Sequence, residues 1–178
     1  MNHTYYYFAA GLPTLSFEGK SPMTPQKFLE DCHEFISKED YESIKILMEG
    51  NWRDPQKLSG TFRRIWQANH NFVNALTAFR AQRAGKNPRD YIQDGGSNDP
   101  RLDELFHAAS KEENLLEGQK IIDSARWEML DAMSLGHYFD EVILAAYALK
   151  LKILERYEAV QSPRGRELFE QIKAIEIK

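Results

Sequence analysis

Between Phe139 and Tyr157 the apolar residues form two adjoining helical stripes, and this limits what the chain can become more than any other feature. Phe139, Val142, Ala146, Leu149 and Ile153 recur at helical spacing, and Ile143, Tyr147, Leu151 and Leu154 do the same one column over. A helix lying on a surface needs one apolar stripe; a helix with two needs cover on most of its sides. The pattern therefore predicts a central rod over 138–160. The expected fold is all-α, an irregular multi-helix bundle of about seven helices with a central buried helix near the C-terminus.

Punctuation residues divide the rest. The aromatic start, Tyr5 to Phe17, is broken by Gly11 and Pro13 and is too short for periodicity to separate strand from helix. It reads either as core packing or as a docking strand, and the burial energy of aromatic rings favours the core. Thr24-Pro25 is a helix start, with threonine as N-cap and proline where no N–H is needed. Ser37 with Asp40 starts a second helix that stops at Gly50. Asp54-Pro55 repeats the cap-plus-proline signal before a long helix over 59–84, and Asn87-Pro88 opens a short turn. The run DGGSND over 94–99 reads as a linker, so the 178 residues form one helical domain, with two lobes as the alternative. Pro100 to Ala109 predicts a short helix, and Ser110 with Glu113 a capping box for a helix reaching about Leu135. Gly136 breaks that helix, and Ser162-Pro163 caps a final amphipathic one bearing Leu168, Phe169, Ile172 and Ile175.

Composition excludes several classes. Hydrophobic residues at 42% are enough for a core, so disorder is not expected. Cys32 is the only cysteine, which rules out an intrachain disulfide and fits a reducing cytosol. No apolar run is long enough to span a bilayer, and no signal peptide is evident, so any membrane role is expected to run through a partner. Charge is unevenly placed. The segment 53–89 carries Arg53, Lys57, Arg63, Arg64, Arg80, Arg83, Lys86 and Arg89 against Asp54 alone, a local +7. Since the whole chain is -4, the remainder carries -11. A basic helical arm on an acidic body is a candidate docking feature.

The chemical candidates are sparse. Glu104 and His107 form an E-x-x-H pair of the kind used in di-iron bundles, but the second copy and the two further glutamates are missing. His33 beside Cys32 and Glu34 offers too few ligands for zinc. His137, Asp140 and Glu141 gather at a helix start, where the helix dipole accounts for the carboxylates. No serine-hydrolase elbow, nucleotide-binding glycine loop or dinucleotide fingerprint occurs. The expectation is a chain with no catalytic residues, no cofactor and no metal. Arg63, Arg64, Trp66, His70, Asn71 and Asn74 mix cations, an aromatic and amides, as a nucleic-acid surface would. Against that stand a pI near 5.8 and the fit of Trp66 to the apolar stripe. An acidic protein partner is preferred, with Arg63, Arg64, Arg80 and Arg83 as the candidate partner-binding residues.

Three stretches, YYYFAAGLPTLSFEGKSPMTPQKFLEDC, RRIWQANHNFVNALTAFRAQRAGKNPRDYI and WEMLDAMSLGHYFDEVILAAYALKLKILERYEAV, together resemble a short bacterial family encoded beside V-type (A/V-type) ATP synthase genes. Its members look like shortened relatives of the C-type stalk protein of these complexes, an all-helical, funnel-shaped protein that seats the rotor stalk on the membrane ring. The resemblance implies a non-catalytic subunit linking or assembling stalk and membrane parts of a proton- or sodium-translocating complex. It implies other V-type ATPase subunits as partners, and a cytoplasmic location peripheral to the inner membrane. Full-length C-type stalk proteins carry three helical lobes, and this chain has room for about one and part of another.

Overall fold

The computed structural model describes residues 4–17, 19–50, 55–92 and 99–176. The described residues are all-α. The helices are α1 (Tyr6–Gly11), α2 (Pro25–Phe35), α3 (Lys38–Glu49), α4 (Gly60–Arg83), α5 (Pro100–Ser110), α6 (Leu115–Ser134), α7 (Glu141–Gln161) and α8 (Pro163–Glu176). Single 3-10 turns at Pro55–Lys57 and Pro88–Asp90 flank α4.

The rod predicted near the C-terminus is α7. Leu144 to Leu149 are buried without interruption, more than a full turn, so every side of the helix is covered there. The cover comes from α2, α3, α4, α6 and α8. The rod begins at Glu141 rather than Tyr138, and Tyr138 is 69% exposed. The cause is local: Asp140 is the N-cap and accepts from the backbone N–H groups of Val142 and Ile143. His137 Nδ1 holds the same carboxylate at 2.6 Å, and Gly136 turns the chain with φ 83°. Phe139, assigned to the first stripe, lies outside the helix.

Most other boundaries follow their caps. Thr24 accepts from Lys27 N–H, Ser37 from Asp40 N–H and Ser162 from Gly165 N–H. Gly50 ends α3 in the left-handed region at φ 66°. One cap differs from the expectation. Ser110 does not open α6; it closes α5, its hydroxyl donating to the His107 carbonyl at 2.8 Å. Asn114 caps α6 instead, accepting from Leu116 N–H. A short hydroxyl side chain serves an orphan carbonyl as readily as an orphan N–H, so serine alone does not say which helix it belongs to. Asp54 and the linker residues 94–98 lie outside the described residues; Asp99 is the N-cap of α5.

The aromatic start is neither wholly strand nor wholly core. Thr4 makes one isolated antiparallel bridge with Asp140, and the short α1 follows. Tyr5 is tied at both ends: its N–H donates to the Phe139 carbonyl, and its hydroxyl donates to buried Asp40 while accepting from Ser37 N–H. Phe8 stacks on Phe28, whereas Tyr7 is 92% exposed.

Two apolar clusters share the bundle. The larger surrounds α7 and takes side chains from α2, α3, the first half of α4 and α6. The smaller joins Phe72, Phe79, Phe106, Ala109 and Ile122 of α4, α5 and α6. Both clusters draw on α4 and α6. No helix among the described residues is long and apolar enough to cross a membrane. On α8, Leu168 is exposed, while Phe169, Ile172 and Ile175 lie outside the described side chains.

Candidate functional site

The four arginines proposed for partner binding do not make one patch. Arg63 and Arg64 sit in the first turn of α4 and Arg80 and Arg83 in its last, about 25 Å apart at 1.5 Å per residue. All four are exposed, yet two are engaged by the protein itself. Arg63 donates to the carbonyls of Gln56 and Leu58, closing the 3-10 turn before α4. Arg80 donates to Gln119 of α6 at 2.8 Å. Arg64 and Arg83 have no hydrogen-bond or ion-pair partner among the described residues.

The remaining polar residues of α4 are not a surface either. Trp66, His70 and Asn74 are buried, with the Trp66 and His70 rings stacked at 4.6 Å and His70 bonded to Asn74 at 3.0 Å. A base has no access to that aromatic, which removes the stacking platform a nucleic-acid reading needs. On α5, His107 is exposed, edge-on to Phe79, and faces Asp103 rather than a ligand set. His33 packs edge-on to Tyr41, and Cys32 is fully buried, its thiol pushed up to about 12 by burial. Among the described residues no group of three or more His, Cys, Asp or Glu is placed to hold a metal ion.

What the fold does bring together is a junction of three arginines from three helices. On α6, Gln119, Asp123 and Arg126 follow one another at steps of four and three, and so share a face. Asp123 is 1% exposed and is paired with Arg156 of α7; Gln119 donates to the same carboxylate oxygen at 3.1 Å and accepts from Arg80 of α4. Arg126 Nε donates to Asn69 of α4 at 2.7 Å. The guanidinium groups are close enough to disturb one another. Burial lowers Arg126 to about 10, with the neighbouring Arg156 cation adding to the fall and Asp123 opposing it. Arg80 is lowered as well, by burial first and by the Arg156 cation second, with Asp123 again opposing. Asp123 Oδ2 and Asn69 Nδ2 are buried with no hydrogen-bond partner among the described residues. Burial is the larger cause in both, and the Arg156 cation adds repulsion to each.

Two clefts open on this junction, and Arg156 lines both. One, of about 510 Å³, lies between the end of α3 and the faces of α6 and α7; its lining includes Leu47, Met48, Arg126, Leu149, Lys152 and Arg156, together with Gly50, Glu155 and Ala159. The other, of about 1020 Å³, runs between the start of α6, the end of α7 and α8, where Glu113, Glu117 and Glu170 offset Arg156 and Arg166. Of the residues singled out in the sequence, only Arg80 belongs to the junction. The spacing of Gln119, Asp123 and Arg126 was a visible signal, a polar stripe on a helix that also carries Ile122, Trp127 and Leu130.

A family model described as a protein of unknown function, DUF2764, matches residues 96–176, less than half of the chain. No curated protein matches the chain, and no solved structure does. The matched part spans α5 to α8. It contains Gln119, Asp123, Arg126 and Arg156, and it leaves out α4 with its arginines.

Proposed function

We propose that the chain is a non-catalytic helical component that binds other proteins of a V-type ATP synthase and helps to link or assemble its stalk and membrane parts. The ATP synthase assignment rests on the resemblance of its three sequence stretches to the shortened relatives of the C-type stalk protein. The observation that favours a docking role is the placing of cations on α4. The larger apolar cluster is committed to covering α7, while Arg64 and Arg83 stand exposed at the two ends of α4 without partners among the described residues. Such charges contribute little to folding. They raise the encounter rate with an acidic surface, here an acidic helical face of another subunit. Two sites about 28 Å apart fit an elongated partner lying along α4 better than a compact one.

The test is co-expression with the V-type ATP synthase subunits of the same genome, followed by native mass spectrometry and size exclusion. The expected result is a defined complex at low ionic strength that weakens as salt shortens the range of the charges, to about 3 Å at 1 M. A chain that elutes alone at low salt, whichever of those subunits are present, overturns the reading.

A further inference from the structure

The cleft of about 510 Å³ beside α3 has the wrong charge to be ordinary packing space. Its ionisable lining is Arg126, Lys152, Arg156 and Glu155, three cations and one anion. Glu155 is taken up by Lys152, its neighbour one turn back on α7. The carboxylate that answers Arg156, Asp123, lies behind the cleft rather than in its lining. Arg126 donates its hydrogen bond to the neutral side chain of Asn69, whose Nδ2 is a buried donor with no acceptor among the described residues. The floor, Leu47, Met48 and Leu149, is apolar and almost wholly buried. A pocket of this size, apolar beneath and polar at a few fixed points, is the usual form of a small-molecule site.

We propose that this cleft binds a phosphate group, with Arg126 and Arg156 holding its oxygens, Lys152 at the rim and the apolar floor receiving whatever the phosphate is attached to. Charge favours an anion, and shape favours phosphate over carboxylate. The lining carries three cations against one anion, and Asp123 behind it leaves one positive charge in excess. Cations approaching from α6 and from two turns of α7 suit a tetrahedral group with more than two acceptor oxygens better than a flat carboxylate. Guanidinium forks are also the side chains that bind phosphate in a fixed orientation. The mutual repulsion of Arg126 and Arg156 is relieved when an anion sits between them, so binding is expected to stiffen the contact between α6 and α7. The inference is independent of the ATP synthase reading, because it uses no residue of the α4 surface.

The experiment is titration calorimetry of the intact chain with inorganic phosphate and, separately, with glycerol phosphate, at fixed ionic strength with chloride as the reference anion. At least one of the two is expected to bind saturably at one site, with Kd below about 1 mM. Binding of inorganic phosphate identifies a free-anion site, and binding of glycerol phosphate alone identifies a monoester site. Lys152→Gln removes a half-exposed cation without touching the core and is expected to weaken binding several-fold. The double variant Arg156→Gln/Asp123→Asn removes exposed Arg156 together with its buried partner Asp123, so that no unpaired buried charge is left, and is expected to abolish binding while the circular dichroism stays helical. Absence of saturable binding by both ligands overturns the proposal. So does binding that is unchanged in the folded Lys152→Gln chain and in the folded double variant.

Discussion

Cys32 and Tyr147 each hold a proton that the unfolded chain would release more easily. Burial pushes the Cys32 thiol from 9.0 up to about 12, and burial likewise pushes the Tyr147 hydroxyl from 10.0 up to about 12. Tyr147 spends its proton on the Pro13 carbonyl, tying the N-terminal segment to the rod at 3.0 Å. A folded-state pKa raised above its unfolded value gives stability that is complete below the unfolded value and is lost as pH rises through the folded one. The melting temperature is therefore expected to be insensitive to these groups below pH 9 and to fall between pH 9 and about 12. Cys32→Ala/Tyr147→Phe should start lower and fall less steeply over that interval; equal slopes would refute the assignment. A harsher change belongs to the rod. Ala146 is fully buried on α7, and an aspartate there is an uncompensated interior charge costing several kcal/mol, much of a typical stability of about 5–15 kcal/mol. Ala146→Asp is expected to be unfolded or aggregated by circular dichroism, and a soluble, fully helical variant would mean that this face is not buried.

At the scale of the element, the junction of α5 and α6 shows what a sequence can and cannot disclose. Capping is local chemistry, so Thr24, Ser37 and Ser162 announce α2, α3 and α8 within a residue or two. Ser110 misleads because two helices compete for it across four residues, and the contest is settled by packing. Gly118 shows that packing: a β-carbon added there would lie 2.4 Å from the Ala109 carbonyl oxygen, so α6 sits directly against the end of α5. Gly118→Ala should push these helices apart and expose the Phe106 cluster, costing about 1–3 kcal/mol in chemical denaturation. Asn114→Ala should cost about 1 kcal/mol as a lost N-cap, and Glu113→Ala much less. Equal effects at 113 and 114 would restore the capping box. The arginine junction lay beyond reach for a different reason. The step from Gln119 to Asp123 to Arg126 is visible, but Arg156 joins it from 33 positions beyond Asp123, through the packing of α6 on α7. Rod and caps are short-range patterns; the junction exists only once three helices have met.

For the molecule as a whole, the question is whether its cations act in folding or in association. The sequence places +7 on the segment 53–89 and suggests one basic face. The fold instead separates the four arginines by use as well as by position. Arg63 and Arg80 bond within the protein, and Arg64 and Arg83 have no such partner among the described residues. Two double variants distinguish the roles. Arg63→Gln/Arg80→Gln removes hydrogen bonds from charged donors, each contributing about 1–3 kcal/mol, and is expected to lower the melting temperature measurably. Arg64→Gln/Arg83→Gln removes solvated charge and is expected to change stability by no more than about 0.5 kcal/mol. The association of that second variant with its protein partner should be slower and less dependent on salt, because steering by exposed charge acts mainly on the on-rate. Surface-binding kinetics at several ionic strengths give both quantities. Wild-type association rates in Arg64→Gln/Arg83→Gln, at every salt concentration, would remove α4 as a docking element. The search for the partner's seat would then turn to the groove between α6, α7 and α8, which lies wholly within the part of the chain matched by the family model.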